Sequence, residues 1–152
     1  MTNRKIGQWN FDFLGIIKPD MDGGKVTHYD FRDRALNQNN SHAYWDMDFC
    51  RFTYPFNIPA QSGVYAFYAG DDLKYVGSAL NLSQRVNEYR KITLGQIKRP
   101  SGIATNCHVN GEIYKALNSG KEVAVYIHVT DDYKAVERRL RWEYKPEWNR
   151  QL

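Results

Sequence analysis

The chain has 152 residues and a mass of 17.8 kDa, the size of one ordinary domain with enough volume to bury a real core. Aromatic residues at 14% exclude a disordered chain, and a mean hydropathy of −0.67 with no long apolar run excludes a helical membrane protein. The net charge of +4 is unevenly placed: residues 1–60 hold seven basic and seven acidic side chains, residues 61–152 fourteen and ten.

Residues 1–60 read as irregular. Short aromatic segments (Trp9 to Phe13, Thr27 to Phe31) are broken by a turn at Asp22-Gly-Gly24 and by a polar loop from Asn37 to His42. From Ser62 the pattern sharpens. Gly63 to Ala69 is β-branched and aromatic, Gly70 to Asp72 is a turn, and Leu73 to Gly77 resumes as a strand, which predicts a hairpin. Asn81 or Ser78 is placed to cap a helix holding Leu82, Val86 and Tyr89. Residues 91–108 read as a basic loop, Ile113 to Leu117 as helical with a stop near Gly120, and Glu122 to Val129 as a third strand. A last helix spans 133–144 and ends ahead of Pro146. The expected fold is α+β: a small antiparallel three-stranded sheet in β-β-α-α-β-α order, flanked by helices, with residues 1–61 as an N-terminal extension and 62–152 as the core.

The basic excess concentrates in two stretches. One holds Arg85, Arg90, Lys91, Lys98 and Arg99, the other Lys134, Arg138, Arg139, Arg141, Lys145 and Arg150. Such clustering suits phosphate contact and equally suits a solvated helix face. On the last helix Tyr133, Val136, Leu140 and Tyr144 fall in one arc of about 80°, and Glu137 lies about 20° beyond its edge. A carboxylate there is placed to bind a metal or to have a raised pKa; the competing reading pairs it with Arg141. Glu143 flanks the other side of the arc as the rival carboxylate. Arg85 and Tyr89 share one flank of their helix, where an arginine holds a phosphate or simply covers an apolar face. Tyr65 and Tyr75 come from the paired strands, where tyrosine is ordinarily packing. Gly77, in the second strand, marks a bulge or a close backbone approach. Cys50 and Cys107 form no metal signature and suit a reducing compartment.

Together these residues resemble the GIY-YIG nuclease superfamily. Gly63-Val-Tyr65 matches the first half of its motif and Tyr75-Val-Gly77 the second. Arg85, eight positions after Gly77, matches the helical arginine. Glu137, nine before Pro146 and twelve before Asn149, matches the glutamate and the terminal Pro-x-x-Asn. Within the superfamily, Arg85-Val-Asn-Glu-Tyr89 and Pro146-Glu-Trp-Asn-Arg150 are most similar to type II restriction endonucleases and to phage-encoded DNA endonucleases. The superfamily's repair enzymes usually carry Lys directly after the second motif's Gly; here Ser78 stands there, and Lys74 precedes the motif.

The resemblance implies a metal-dependent deoxyribonuclease acting on double-stranded DNA, with one Mg²⁺ (or Mn²⁺) on Glu137. It implies Tyr65 as the general base, Arg85 on the phosphate, Tyr75 and Tyr89 assisting, and Asn149 positioning a phosphate or the helix end. Lys74, Ser78, Arg90, Lys91, Lys98, Arg99, Asn39 and Asn40 are the candidate DNA contacts. Three functions stand open: a site-specific restriction-like enzyme, working as a homodimer if its site is palindromic; a phage-type nicking enzyme with loose sequence preference; and a catalytically silent DNA-binding module. The expected location is the cytoplasm, with a bacterial or phage gene.

Overall fold

The computed structural model describes residues 2–29, 48–93 and 104–150. In chain order the elements are β1 (Arg4–Ile6), β2 (Trp9–Ile16), β3 (Lys18–Pro19), β4 (Met21–Asp22), β5 (Lys25–Val26), β6 (His28–Tyr29), β7 (Phe49–Cys50) and β8 (Phe52–Thr53). There follow β9 (Gly63–Ala69), β10 (Asp72–Ala79), α1 (Leu82–Asn87), α2 (Ala104–Asn118), β11 (Val123–Val129) and α3 (Tyr133–Tyr144). These elements divide between two compact units, one comprising Met1–Ile17, Tyr54–Asn87 and Lys121–Leu152, the other Lys18–Thr53 and Glu88–Gly120.

The first unit is built on an antiparallel sheet of order β1-β2-β11-β9-β10. The hairpin of β9 and β10 turns at Gly70, whose φ of 59° a side chain would disfavour. Strand alternation gives the sheet two different faces. Val64, Ala66, Tyr68, Val76 and Tyr126 join Val136 and Leu140 of α3 in one apolar core, whereas Tyr65 and Phe67 point to the opposite face with Tyr75. Helix α3 therefore sits on a known face of β9 and β10, and its border residues are carried to the edge strand. Its C-terminus is closed by Lys145 in the left-handed region (φ 44°), whose N–H donates to the Arg141 carbonyl, just before Pro146.

The expected three-stranded sheet is corrected to five strands. The two additional strands, β1 and β2, come from residues read as irregular. Trp9, Phe11 and Phe13 alternate with the exposed Asn10 and Asp12, which is a strand pattern. Its partner β11 lies more than a hundred residues away, pairing Ile16 with Ala124, so no local hairpin signal marks it. A second correction concerns α1, which stops at Asn87 and does not reach Tyr89. The Asn87 amide donates to the Ser83 carbonyl at 2.7 Å, satisfying with a side chain an acceptor near the helix end. The Asn81 cap is present, its Oδ1 accepting the Gln84 N–H at 3.0 Å. Tyr144, expected on the buried arc, is 45% exposed and uses its hydroxyl to accept the Gly7 N–H at 2.8 Å.

Among the described residues the second unit holds three antiparallel pairs of two-residue strands, β3 with β8, β4 with β5 and β6 with β7, and α2 packs on β5 and β7. Asn110 of α2 is fully buried. Its Nδ2 donates to the carbonyls of Cys50 (2.9 Å) and Tyr89 (2.8 Å), and its Oδ1 accepts the Cys50 N–H at 3.0 Å. Helix α2 also corrects the basic loop expected over 91–108, since it begins at Ala104. Asn106, Asn110 and Gly111 are poor helix formers that hid its first turns, and tertiary bonds override them. Burial pushes the thiol of Cys50 up to about 12 and that of Cys107 to about 11, so both stay protonated at neutral pH.

Candidate active site

Two glycines in the first unit let side chains approach where any Cβ would block them. Gly77 of β10 pairs directly with Tyr65 of β9, and a Cβ at Gly77 would overlap the ring and hydroxyl of Tyr65. The phenol therefore lies across β10, an edge strand of the sheet. At Gly63 a Cβ would come within 2.5 Å of the His128 carbonyl and 2.9 Å of Leu82, so glycine there lets α1 close onto β9. Both motif glycines are explained by clearance rather than by turn geometry.

Ser78, the next residue of β10, donates its hydroxyl to Glu137 Oε2 at 3.2 Å. The Tyr65 ring and the Glu137 carboxylate thus meet consecutive residues of one edge strand, whose side chains point to opposite faces of the sheet. Glu137 is half-buried, and desolvation holds its carboxyl above the usual carboxylate range. The charge of Arg141, the Ser78 hydrogen bond and the charges of Arg85 and Arg138 each pull the other way. Arg85, on α1, therefore acts on Glu137 from a second element. The rival Glu143 is exposed and lies 3.7 Å from Arg139.

The residues after α3 seal the same edge. Asn149 accepts the Val76 N–H at 2.9 Å and donates to the Val76 carbonyl at 2.8 Å, while the Trp148 N–H donates to the Lys74 carbonyl at 2.9 Å. The ladder between β9 and β10 shifts register across Lys74, and Lys74 Nζ bonds Glu147 Oε2 at 2.6 Å. The Asn149 amide is spent on the backbone of β10. Beside this edge a groove of about 550 Å³ is lined by Ser78, Glu137 and Asn149 and by the cations Lys134, Arg138, Arg141, Lys145 and Arg150, with Trp142 at its wall.

The first unit holds Tyr65, Tyr75, Lys74, Ser78, Arg85, Glu137 and Asn149, of which Ser78, Glu137 and Asn149 line the groove and Tyr65 and Tyr75 pack together on the opposite face of the sheet. Tyr65 is 1% exposed, and its ring centroid lies 6.0 Å from that of Tyr75. Tyr89, Arg90 and Lys91 belong to the second unit: Tyr89 is fully buried, Arg90 is half-buried and Lys91 is exposed. Asn39, Asn40, Lys98 and Arg99 lie outside the described residues. Sequence reading missed Trp142; the available signal was a large aromatic residue at a helix position away from the apolar arc, among arginines.

Among the described residues no group of three or more His, Cys, Asp or Glu side chains converges. A lone carboxylate with an adjacent hydroxyl still fits Mg²⁺, which keeps several of its waters and takes one or two carboxylates plus substrate phosphate oxygens. Glu137 has that chemistry at the mouth of a basic groove.

No family model and no curated protein matches the chain. Among solved structures it is similar to a mutant of bacteriophage T4 EndoII, at 19% identity and a TM-score of 0.54 over 91% of this chain and 92% of that one. The GIY-YIG N-terminal endonuclease domain of UvrC from Thermotoga maritima, bound to magnesium, aligns at 19% identity and a TM-score of 0.40 over 60% of this chain and 86% of that one. The likeness to EndoII runs along nearly the whole of both chains and shows a shared fold.

Proposed function

We propose that the protein is a DNA endonuclease that hydrolyses phosphodiester bonds with one divalent cation, Mg²⁺ or Mn²⁺, per site. The observation that carries this reading is Glu137, half-buried, bonded to Ser78 and acted on by the charges of Arg141, Arg85 and Arg138, in a groove lined by cations. A solvated structural glutamate does not need to be half-buried beside a serine hydroxyl and under the charges of three helix-borne arginines.

Glu137 would hold the cation with Ser78 orienting its carboxylate. A cation bound there supplies positive charge to the scissile phosphate and to the leaving oxygen. Arg85 binds the phosphate and offsets the charge that builds in the transition state. The Tyr65 hydroxyl orients the attacking water and accepts its proton; a phenol titrates near 10, so a neighbouring positive charge such as Arg85 is needed to make it a base near neutrality. Tyr75 supports the Tyr65 ring. Asn149 and Trp148 hold the edge strand so that Gly77 and Ser78 keep both groups in place.

The finer reading is a site-specific enzyme cutting both strands as a homodimer. A phage-type enzyme with loose sequence preference is the second, favoured by likeness to a phage protein along nearly the whole chain. Incubating supercoiled plasmid and mixed-sequence linear duplex with the protein in Mg²⁺, Mn²⁺ or EDTA separates them. Discrete cation-dependent fragments support the first, nicked circles or a smear the second. Glu137→Gln should lower the rate by at least about a hundredfold while DNA binding persists, a loss typical of removing a group on which catalysis depends. Binding without cleavage in any metal would leave a silent DNA-binding module.

A further inference from the structure

Trp142 is 70% exposed, whereas Trp148, six residues on, is 3% exposed. An indole left in water is unusual, and this one is not isolated. It walls the groove that contains Glu137, with Lys134, Arg138, Arg141 and Lys145 around the same space. On a helical projection Arg141, Lys134, Arg138 and Trp142 fall in that order within about 100°, with Glu137 about 40° beyond Arg141. The helix surface thus runs from carboxylate through cations to an aromatic plane. Arg139 touches the indole only at 5.8 Å and is itself drawn toward Glu143, so most of the ring stays open.

Resting on the nuclease reading, we propose that Trp142 is a stacking platform for a nucleobase within a few nucleotides of the cut phosphate, the cations beside it holding the flanking backbone. Four positive groups around one exposed aromatic match a nucleic-acid strand, which offers phosphates and π-faces together. They match a protein contact poorly, because lysine is depleted from the cores of such interfaces. The platform gives the enzyme a grip on an unstacked base, and with it a preference for sites where unstacking is easy, such as TA or CA steps.

The test uses the full chain, the variants Trp142→Ala and Trp142→Phe, and duplexes carrying 2-aminopurine at successive positions around a cleavage site. Wild type should change the probe's emission at one or two positions. Trp142→Ala should abolish that change and weaken binding about tenfold, within the range base stacking supplies, with an unaltered salt slope because no phosphate contact is lost. Trp142→Phe should restore most of both. Its exposure predicts that neither variant unfolds, and thermal melting checks this. Equal affinity and equal emission for wild type and Trp142→Ala would overturn the platform while leaving the nuclease standing. A wild type that neither binds nor cuts DNA would overturn both. Loss of a dimer in Trp142→Ala, seen by sedimentation, would assign the indole to contact between copies instead.

Discussion

The two units hold themselves together by different means. In the first, ladders of five strands and one apolar core do the work, and the β10 edge is left to hold Glu137 through Ser78 and Asn149 through the Val76 backbone. In the second, strands of two residues supply little ladder energy, and one buried amide, Asn110, ties α2 to Cys50 and Tyr89. A sheet distributes its stability over many bonds, so it can tolerate desolvating a carboxylate at its edge. The second unit, with its short ladders, leans instead on buried side chains such as Asn110, Phe49, Phe52 and Ile113.

The sharpest way to break this contrast is Asn110→Ala. It orphans three backbone groups, two of Cys50 and one of Tyr89, and should cost about 3 kcal/mol, with amide-exchange protection lost first in the second unit. A uniform loss across both units would show that they unfold as one. Gly77→Ala tests the first unit at its tightest point. The added methyl must displace the Tyr65 ring, so about 1–3 kcal/mol should be lost, and cleavage should fall much further than stability. Full activity in that variant would remove Tyr65 from the site.

Glu137→Gln separates function from stability. Burial raises the carboxyl's pKa in the folded state, so its stabilising contribution is fully present below the ordinary carboxylate range and is lost as pH rises through the folded-state value. The glutamine variant should therefore melt higher than wild type at pH 7, with the gap closing on acidification. A lower melting point at pH 7 would mean that the carboxylate is structurally required. The smallest effect belongs to Glu147→Ala. Glu147 is 69% exposed, so losing its pair with Lys74 should change stability by less than about 1 kcal/mol. A larger drop in melting temperature would make Lys74 part of the seal on the β10 edge.

The motif half of the first unit was legible because its signals are local. Strand alternation from Gly63, the Asn81 cap, the helix from Tyr133 and the stop before Pro146 each act within a few residues. The border position of Glu137 followed from helical periodicity alone. The second unit resisted for the opposite reason: Asn110 and Gly111 oppose a helix that only tertiary bonds justify. Arg85 and Tyr89 were read onto one helical flank, but Asn87 ends that helix first.

By itself the sequence determined which residues are candidates for chemistry and in what order, because residue type and spacing are properties of the chain. Only tertiary structure decided that β2 joins the sheet beside β11, that Tyr65 lies over Gly77, that Glu137 meets Ser78, and that Asn149 clasps Val76. All but the hairpin contact of Tyr65 with Gly77 join groups far apart in the chain. Such contacts form only when burial of a shared core offsets the entropy of closing the long loops between them.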